Sequence, residues 1–322
     1  MKIMYLPRLI AVGLIFLILG SNVQAQSYPN KPIKLVIGYP PGAATDLFGR
    51  AIAKQMQDSM GQAIVVDNKV GAAGTVAAES VIRSAPDGYT LLNSASQIVI
   101  NPFVQKLAFN TEKDLIPLAQ TITVSYVLVS SPNFPVNNLA DLVEYAQKNP
   151  GKINYGSYGS GSGPHLSMAM LEKAAGIKMQ HIQYRGSPQL LTALMAGEID
   201  VAFDTTTSTL ALIQSGKIKP LAIGGSKPSE LLPNVPPVAK SYPGFDSDGW
   251  QGIFLPANTP IELVQKLNLE VNNALKSPTL KSLAESRGVK ITGGSSEQFI
   301  AIMKQELKKY EQVIKENNIK MD

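Results

Sequence analysis

The chain has 322 residues, 44% of them hydrophobic and 16% charged, and a formal net charge of +5. It contains no cysteine and only two histidines, His165 and His181, which excludes a disulfide scaffold, thiolate zinc sites, cysteine nucleophiles and His-rich metalloprotease centres. No run of five basic residues occurs, so nothing favours nucleic acid as a partner, and the small positive surplus suits at most the steering of a small anion.

At the N-terminus, Lys2 and Arg8 precede an unbroken apolar run from Leu9 to Leu19, followed by Ser21-Asn22 and Val23-Gln24-Ala25. This order matches a secretory signal peptide, residues 1–25, cut after Ala25. The apolar run covers about half of a ~30 Å hydrocarbon core, too little for a membrane span. Removing Lys2 and Arg8 with the leader leaves 297 residues of charge +3, about two domains at ~150 residues each. No later stretch reaches 18 consecutive apolar residues. The expected product is therefore periplasmic, without a membrane anchor.

The mature sequence alternates short β-branched runs with amphipathic stretches, the pattern of an α/β fold with mostly parallel sheets flanked by helices. Expected strands are Ile33–Ile37, Ala63–Asp67, Thr90–Asn93, Ile122–Val129, Ile153–Tyr155, His181–Tyr184, Val201–Phe203, Leu221–Ile223 and Ile253–Leu255. Leu47, Ala51, Ile52, Met56 and Met60 share one helical face, stopped by Gly61. Gly163-Pro164 opens a helix that ends at Gly176, with Leu166, Met170 and Leu171 inward. Ser187-Pro188 opens another that ends at Gly197, with Leu190, Leu191 and Leu194 inward. Proline at the start and glycine past the end is the asymmetry that helix termini favour. Thr259-Pro260-Ile261-Glu262 reads as a capping box. The last helix, Ser296 to Glu316, carries Phe299, Ile302, Met303, Leu307 and Tyr310 on one side. Prolines at 228, 233, 236, 237 and 243 make Lys227–Asp248 a long irregular connection running over the surface, the best candidate for a return between domains, and Ile122–Val129 is the other crossing candidate.

Two glycine-rich turns lead from strands into helices: Gly38-Tyr39-Pro40-Pro41-Gly42-Ala43-Ala44-Thr45-Asp46, and Tyr155-Gly156-Ser157-Tyr158-Gly159-Ser160-Gly161-Ser162-Gly163-Pro164-His165. Each offers amides and hydroxyls at a helix N-terminus, where unpaired N–H groups and the dipole favour an anion. A dinucleotide fingerprint fails because Pro164 stands where the third glycine belongs, and neither GxxxxGK[ST] nor G-x-S-x-G occurs. Ser162 and His165 form either a nucleophile pair or, more simply, a helix cap. His165 is a hydrogen-bond partner for ligand or for loop. Asp46 either caps the first helix or touches ligand. Arg185, Asp204, Ser94 and Ser96 follow strands, where parallel sheets gather their ligands; a solvated surface charge is the simpler reading for Arg185. Trp250 reads as core or hinge packing.

In order, these segments resemble the periplasmic receptors of tripartite tricarboxylate transporters, the Bug receptors. The resemblance rests on Tyr28-Pro29-x-Lys31-Pro32-Ile33, Pro40-Pro41-Gly42-x-Ala44-Thr45-Asp46, Pro86-Asp87-Gly88-Tyr89-Thr90-Leu91, Tyr155-Gly156-Ser157 with Gly161-Ser162 and His165-Leu166, Tyr184-Arg185-Gly186 and Ala196-Gly197-Glu198-Ile199-Asp200. It implies a two-lobed, type II Venus-flytrap binding protein, each lobe a mostly parallel sheet flanked by helices, with a small carboxylate held between the lobes and handed to transporter subunits. The lobes would comprise residues 26–124 with 250–322, and 125–249. Carried over, the ligand site comprises Tyr39, Gly42, Ala43, Ala44, Thr45, Ser157, Tyr158, Ser160, Ser162 and His165, to which the strand-end reading adds Ser94, Arg185 and Asp204. Ala43 and Tyr158 depart from the family pattern of smaller residues. No catalytic residue, cofactor or metal is expected, and the chain is expected to be monomeric. An exported enzyme acting on a carboxylate or ester, or a receptor serving a sensor, are the alternatives.

Overall fold

The computed structural model describes residues 28–319; the expected leader lies outside them. The chain runs through β1 (Ile33–Ile37), α1 (Ala44–Met60), β2 (Ile64–Asn68), α2 (Thr75–Ile82), β3 (Thr90–Ala95), α3 (Gln97–Val104), α4 (Thr111–Asp114) and β4 (Leu115–Val124). It continues through β5 (Tyr126–Ser130), α5 (Leu139–Lys148), β6 (Asn154–Ser157), α6 (Gly163–Ala175), β7 (Gln180–Gln183), α7 (Ser187–Ala196), β8 (Val201–Thr205), α8 (Thr206–Gln214) and β9 (Lys219–Ile223). The last part comprises β10 (Gly249–Pro256), α9 (Ile261–Leu275), α10 (Pro278–Arg287), β11 (Lys290–Ile291) and α11 (Ser296–Glu316).

Two sheets result, of order β11-β4-β10-β3-β1-β2 and β7-β6-β8-β5-β9. Parallel pairing joins β1 with β2 and β3, and β6 with β7 and β8. The strands beside the crossings run the other way: β10 pairs antiparallel with β3 and β4, and β5 with β8 and β9. Both sheets are thus mixed where mostly parallel ones were expected: β10 and β5, the strands that follow the two crossings, enter against their neighbours, and β11 pairs antiparallel with β4. The apolar run expected as one strand over Ile122–Val129 is split at Ser125, β4 lying in one sheet and β5 in the other. Helices cover both faces of each sheet, so the central strands are buried on both sides and read as continuous apolar runs, whereas the edge strands β2 and β7 are half-buried or exposed.

The glycine stops hold: Gly61, Gly176 and Gly197 close α1, α6 and α7 at φ of 66°, 64° and 77°. The inward face of α1 is rotated from the expected one. Phe48, Ile52 and Met56 are its buried large residues, while Leu47, Ala51 and Met60 are half-buried; Phe48 is the side chain that fills the gap against β1. The expected capping box at Thr259 does not form. The Thr259 hydroxyl donates instead to Pro256 O at 2.8 Å, and the box that does form joins Ser295 and Gln298 at the start of α11. Residues 227–248 connect β9 to β10 with a single 3-10 turn at Val238–Lys240, yet they do not simply skirt the surface. Leu232, Val235, Val238 and Phe245 are buried against the second sheet's apolar clusters. Trp250 is core: it meets Phe299 edge-on at 5.1 Å and is nearly inaccessible.

The last helix reaches beyond its own sheet. α11 packs on α3 and β4, and also touches α6 of the other lobe, where Lys173 and Glu316 form an ion pair. Leu166 and Ala169 of α6 share one apolar cluster with Val104, Trp250, Phe299 and Tyr310. The lobes meet on the cleft side as well: Gln97 Nε2 donates to Gly161 O at 3.3 Å.

Candidate functional site

The first loop is held by Asp46. Its carboxylate, nearly inaccessible, accepts from Gly42 N at 2.9 Å, from Arg50 Nε at 3.0 Å and from Asn68 Nδ2 at 2.8 Å. Burial alone would raise this carboxyl, but the hydrogen bonds from Arg50, Gly42 and Asn68 outweigh it and hold it below the usual carboxylate range. Asp46 therefore acts structurally but not as the expected cap: it lies in the first turn of α1, whose N-cap is Ala43 without a side-chain cap bond, and it ties down the loop before it. Gly42 N is thereby spent on the loop, and Ala43 N on Pro40 O. Leu47 N makes the first helical bond, to Ala43 O, which leaves the amides of Ala44, Thr45 and Asp46 as the free end of α1.

Asp46→Ala is expected to cost roughly 2–4 kcal/mol at neutral pH, the range for removing one partner of a buried charged network, with its lower half favoured because Arg50 is partly solvated. The carboxyl lies below its unfolded value, so its contribution is complete above that value and disappears as the pH falls through the folded one. Denaturant melts of both proteins from pH 7 to pH 2.5 check this: the gap must close at the acid end.

Tyr39, after β1, lies beside Ser94 and Ala95 of β3; its hydroxyl is buried and makes no hydrogen bond of good geometry. Burial pushes this phenol well up, Ser94 and the Ala95 backbone opposing. A third loop, unforeseen from the sequence, stands against it. Gly71-Ala72-Ala73-Gly74 has positive φ throughout, and a Cβ added at Gly74 would stand 3.7 Å from the Tyr39 hydroxyl. Asn101 of α3 and Gln105, just past its end, pin this loop through Thr75 Oγ1, at 3.2 and 2.9 Å. The spacing Gly-x-x-Gly between a strand and a helix was the available signal.

In the second loop the small residues mostly bond one another. Gly159 N donates to Ser157 Oγ at 3.0 Å, and the Ser162 hydroxyl donates to Gly159 O at 2.7 Å. Ser160 Oγ accepts from Gln183 at 3.4 Å. His165 Nδ1 accepts from Gly161 N at 3.1 Å, and its ring stacks on His181 at 4.0 Å, 12° from parallel. His181 Nε2 in turn lies 2.6 Å from Ser157 Oγ. His165 Nδ1 thus serves the loop, and Ser162 stands at the N-cap of α6 without the expected side-chain cap, its hydroxyl on Gly159 O.

Asp204, at the end of β8, is fully buried. It accepts from Tyr158 Oη, from the Ser187 hydroxyl at 2.7 Å and from Thr205 N at 2.6 Å. Burial raises its carboxyl to about 6 against the pull of those donors. Ser187 escaped the sequence reading, hidden as the residue before the helix-opening proline. Arg185 is exposed; its backbone N donates to Gln189 at 3.2 Å and its guanidinium forms no ion pair among the described residues. The solvated-charge reading of Arg185 is the one realised. Tyr126, just past the crossing, links the two sides. Its hydroxyl lies against Gly163 at the start of α6, and Tyr39, Asp204 and Asp248 are its electrostatic neighbours. The structure therefore gathers Tyr39, Ser94, Tyr126, Tyr158 and Asp204 where the lobes meet, with the ends of α1 and α6 alongside. Among the described residues no cluster of three or more His, Asp or Glu could hold a metal ion.

A profile described as "Tripartite tricarboxylate transporter family receptor" matches residues 48–319. The chain belongs to this receptor family. It is a family of periplasmic solute-binding receptors, not of enzymes. A UPF0065 protein from the tcbD-tcbE intergenic region of Pseudomonas sp. (strain P51) is 31% identical over 315 residues, 96% of this chain and 94% of that one. Among solved structures, the periplasmic binding protein BugD is 30% identical with a TM-score of 0.78, over 91% of this chain and 100% of that one. R. palustris Rpa4515 with adipate is 28% identical with a TM-score of 0.80, over 91% and 99%. The receptor fold here is thus the two-lobed periplasmic binding protein, as its resemblance implied.

Proposed function

We propose that this receptor takes a small organic carboxylate between its lobes and delivers it, chemically unchanged, to membrane subunits of a tripartite transporter. The observation that carries the reading is a pair of small-residue loops, one from each sheet, each opening a helix whose first amides are available to an anion. The amides of Ala44 and Thr45 open α1 just after Tyr39, α6 opens at Gly163 against the Tyr126 hydroxyl, and Tyr39 and Tyr126 are electrostatic neighbours. Each such end favours an anion by ~0.3–1 kcal/mol, more when partly buried. The adipate-bound relative supports the same ligand class. In this reading Tyr39, Ala44, Thr45, Ser94, Tyr158, Ser160 and Ser162 line the ligand, whereas Gly42, Ser157 and His165 shape the loops that do. The lobes are taken as 26–124 with 250–322, and 125–249, in keeping with sheet membership. Residues 1–25 are the leader, so Gln26 is the expected first residue of the periplasmic protein.

A thermal-shift screen of mono-, di- and tricarboxylates at neutral pH tests the assignment. A ligand present at a hundred times its Kd adds ~2.7 kcal/mol to stability, enough to move the melting midpoint by several degrees. A folded protein that no carboxylate stabilises would refute it.

A further inference from the structure

Resting on the carboxylate reading, we propose that Tyr158, anchored by Asp204, sets the length of carboxylate that the cleft admits. Tyr158 is the one large side chain in a loop otherwise built of glycine and serine from Gly156 to Gly163. It leaves the carboxyl end of β6 half-buried, its ring packed on the apolar cluster of Leu190, Leu191 and Ile199. Its hydroxyl reaches inward to Asp204. Asp204 is inaccessible, and both its oxygens are occupied, by Tyr158 and Thr205 N on one side and Ser187 on the other. A ligand cannot reach that carboxylate without displacing the phenol.

Asp204 is therefore a positioning residue, and the ring it fixes is what the ligand meets. The loop that carries Tyr158 faces the other lobe: Gln97 donates to Gly161 O, and the Tyr126 hydroxyl lies against Gly163. A carboxylate bound at the α1 amides extends its far end towards the ring, and each further methylene must find room there. A packed, anchored ring yields little, since close-packed interiors resist even one extra methylene.

Calorimetric titration with succinate, adipate and suberate, and with butanoate, hexanoate and octanoate, tests the proposal. The wild type should bind the short member of a series best. Tyr158→Ser should reverse that order, with the longest member gaining about tenfold or more over the shortest, as added buried methylenes are rewarded. Tyr158→Phe keeps the ring and should keep the order, at weaker affinity. Asp204→Asn retains an acceptor for the phenol and should also keep it. An unchanged order in a Tyr158→Ser protein that still binds carboxylates would overturn the proposal alone. A reversed order in a folded Asp204→Asn protein would overturn it too, since the acceptor that fixes the ring is retained. Binding of other carboxylates but none of the six would overturn the proposal alone, whereas a folded wild type that no mono-, di- or tricarboxylate stabilises would remove the carboxylate reading with it.

Discussion

At pH 8, Asp248→Asn is expected to melt well above the wild type, and the two should converge as the pH falls towards 4. Asp248 lies just before β10, where the chain returns between lobes, and Ser125, in the other crossing, donates to its Oδ2 at 3.1 Å. Its Oδ1 is buried with no partner. Burial, with Asp246 next in weight, raises the carboxyl to about 7; Glu306 adds to the rise, while the Ser125 hydroxyl and Lys309 of α11 oppose it. The phenol of Tyr126 also faces this group.

An acid held higher in the folded state keeps its proton where the unfolded chain has released it. Stability then falls as pH rises between the two values and stays low above the upper one. Holding a carboxyl at about 7 in place of 3.8 costs the fold up to roughly 4 kcal/mol once ionised. Asparagine keeps an acceptor for Ser125 and carries no charge, so it removes most of that cost. Asp204, also raised, contributes the same slope to both proteins and drops out of the difference. Thermal melts at pH 4, 6 and 8 check the effect; a pH-independent difference would mean that Asp248 is solvated.

The second large effect is on closure. Gly161 has φ +74°, and a side chain added there would stand 3.0 Å from Val104 of the opposite lobe. Gly161→Val combines a left-handed β-branched residue, at about 1–2 kcal/mol, with methyl groups driven into α3 across the lobe contact. Carboxylate affinity is expected to fall tenfold or more, equivalent to ~1.4 kcal/mol, because the lobes can no longer meet. Small-angle scattering should show the wild type contracting on saturation with a carboxylate and the variant contracting less. Equal affinity in calorimetry would show that the Gly161–Val104 contact has no part in the bound state.

Much of this architecture is legible in the sequence because strands buried on both faces have few compositional alternatives. β1, β3, β8 and β9 lie within a few residues of their apolar runs. The helices opened by Pro164 and Pro188 are equally plain, since proline and glycine mark both ends. α3 was illegible: Pro102 lies inside it, and a short buried apolar run does not by itself distinguish helix from strand. The split at Ser125 was hidden for a related reason, as two buried strands in different sheets read as one. The site is less legible than the fold. The loops and Asp204 could be named from strand ends, but which amides stay free depends on Asp46, Asn68 and Arg50 converging from separate elements. Ser187, Tyr126 and Asp248 carry no motif; only the meeting of two sheets gives them roles.

The central claim is that the space between the lobes binds a carboxylate without transforming it. Titration calorimetry of the carboxylate that most raises the melting temperature, followed by NMR of the ligand recovered from the denatured complex, tests this most directly. Saturable one-to-one binding with the ligand recovered intact is the expected result. Either no heat of binding from a folded protein, or recovery of a converted product, would contradict it.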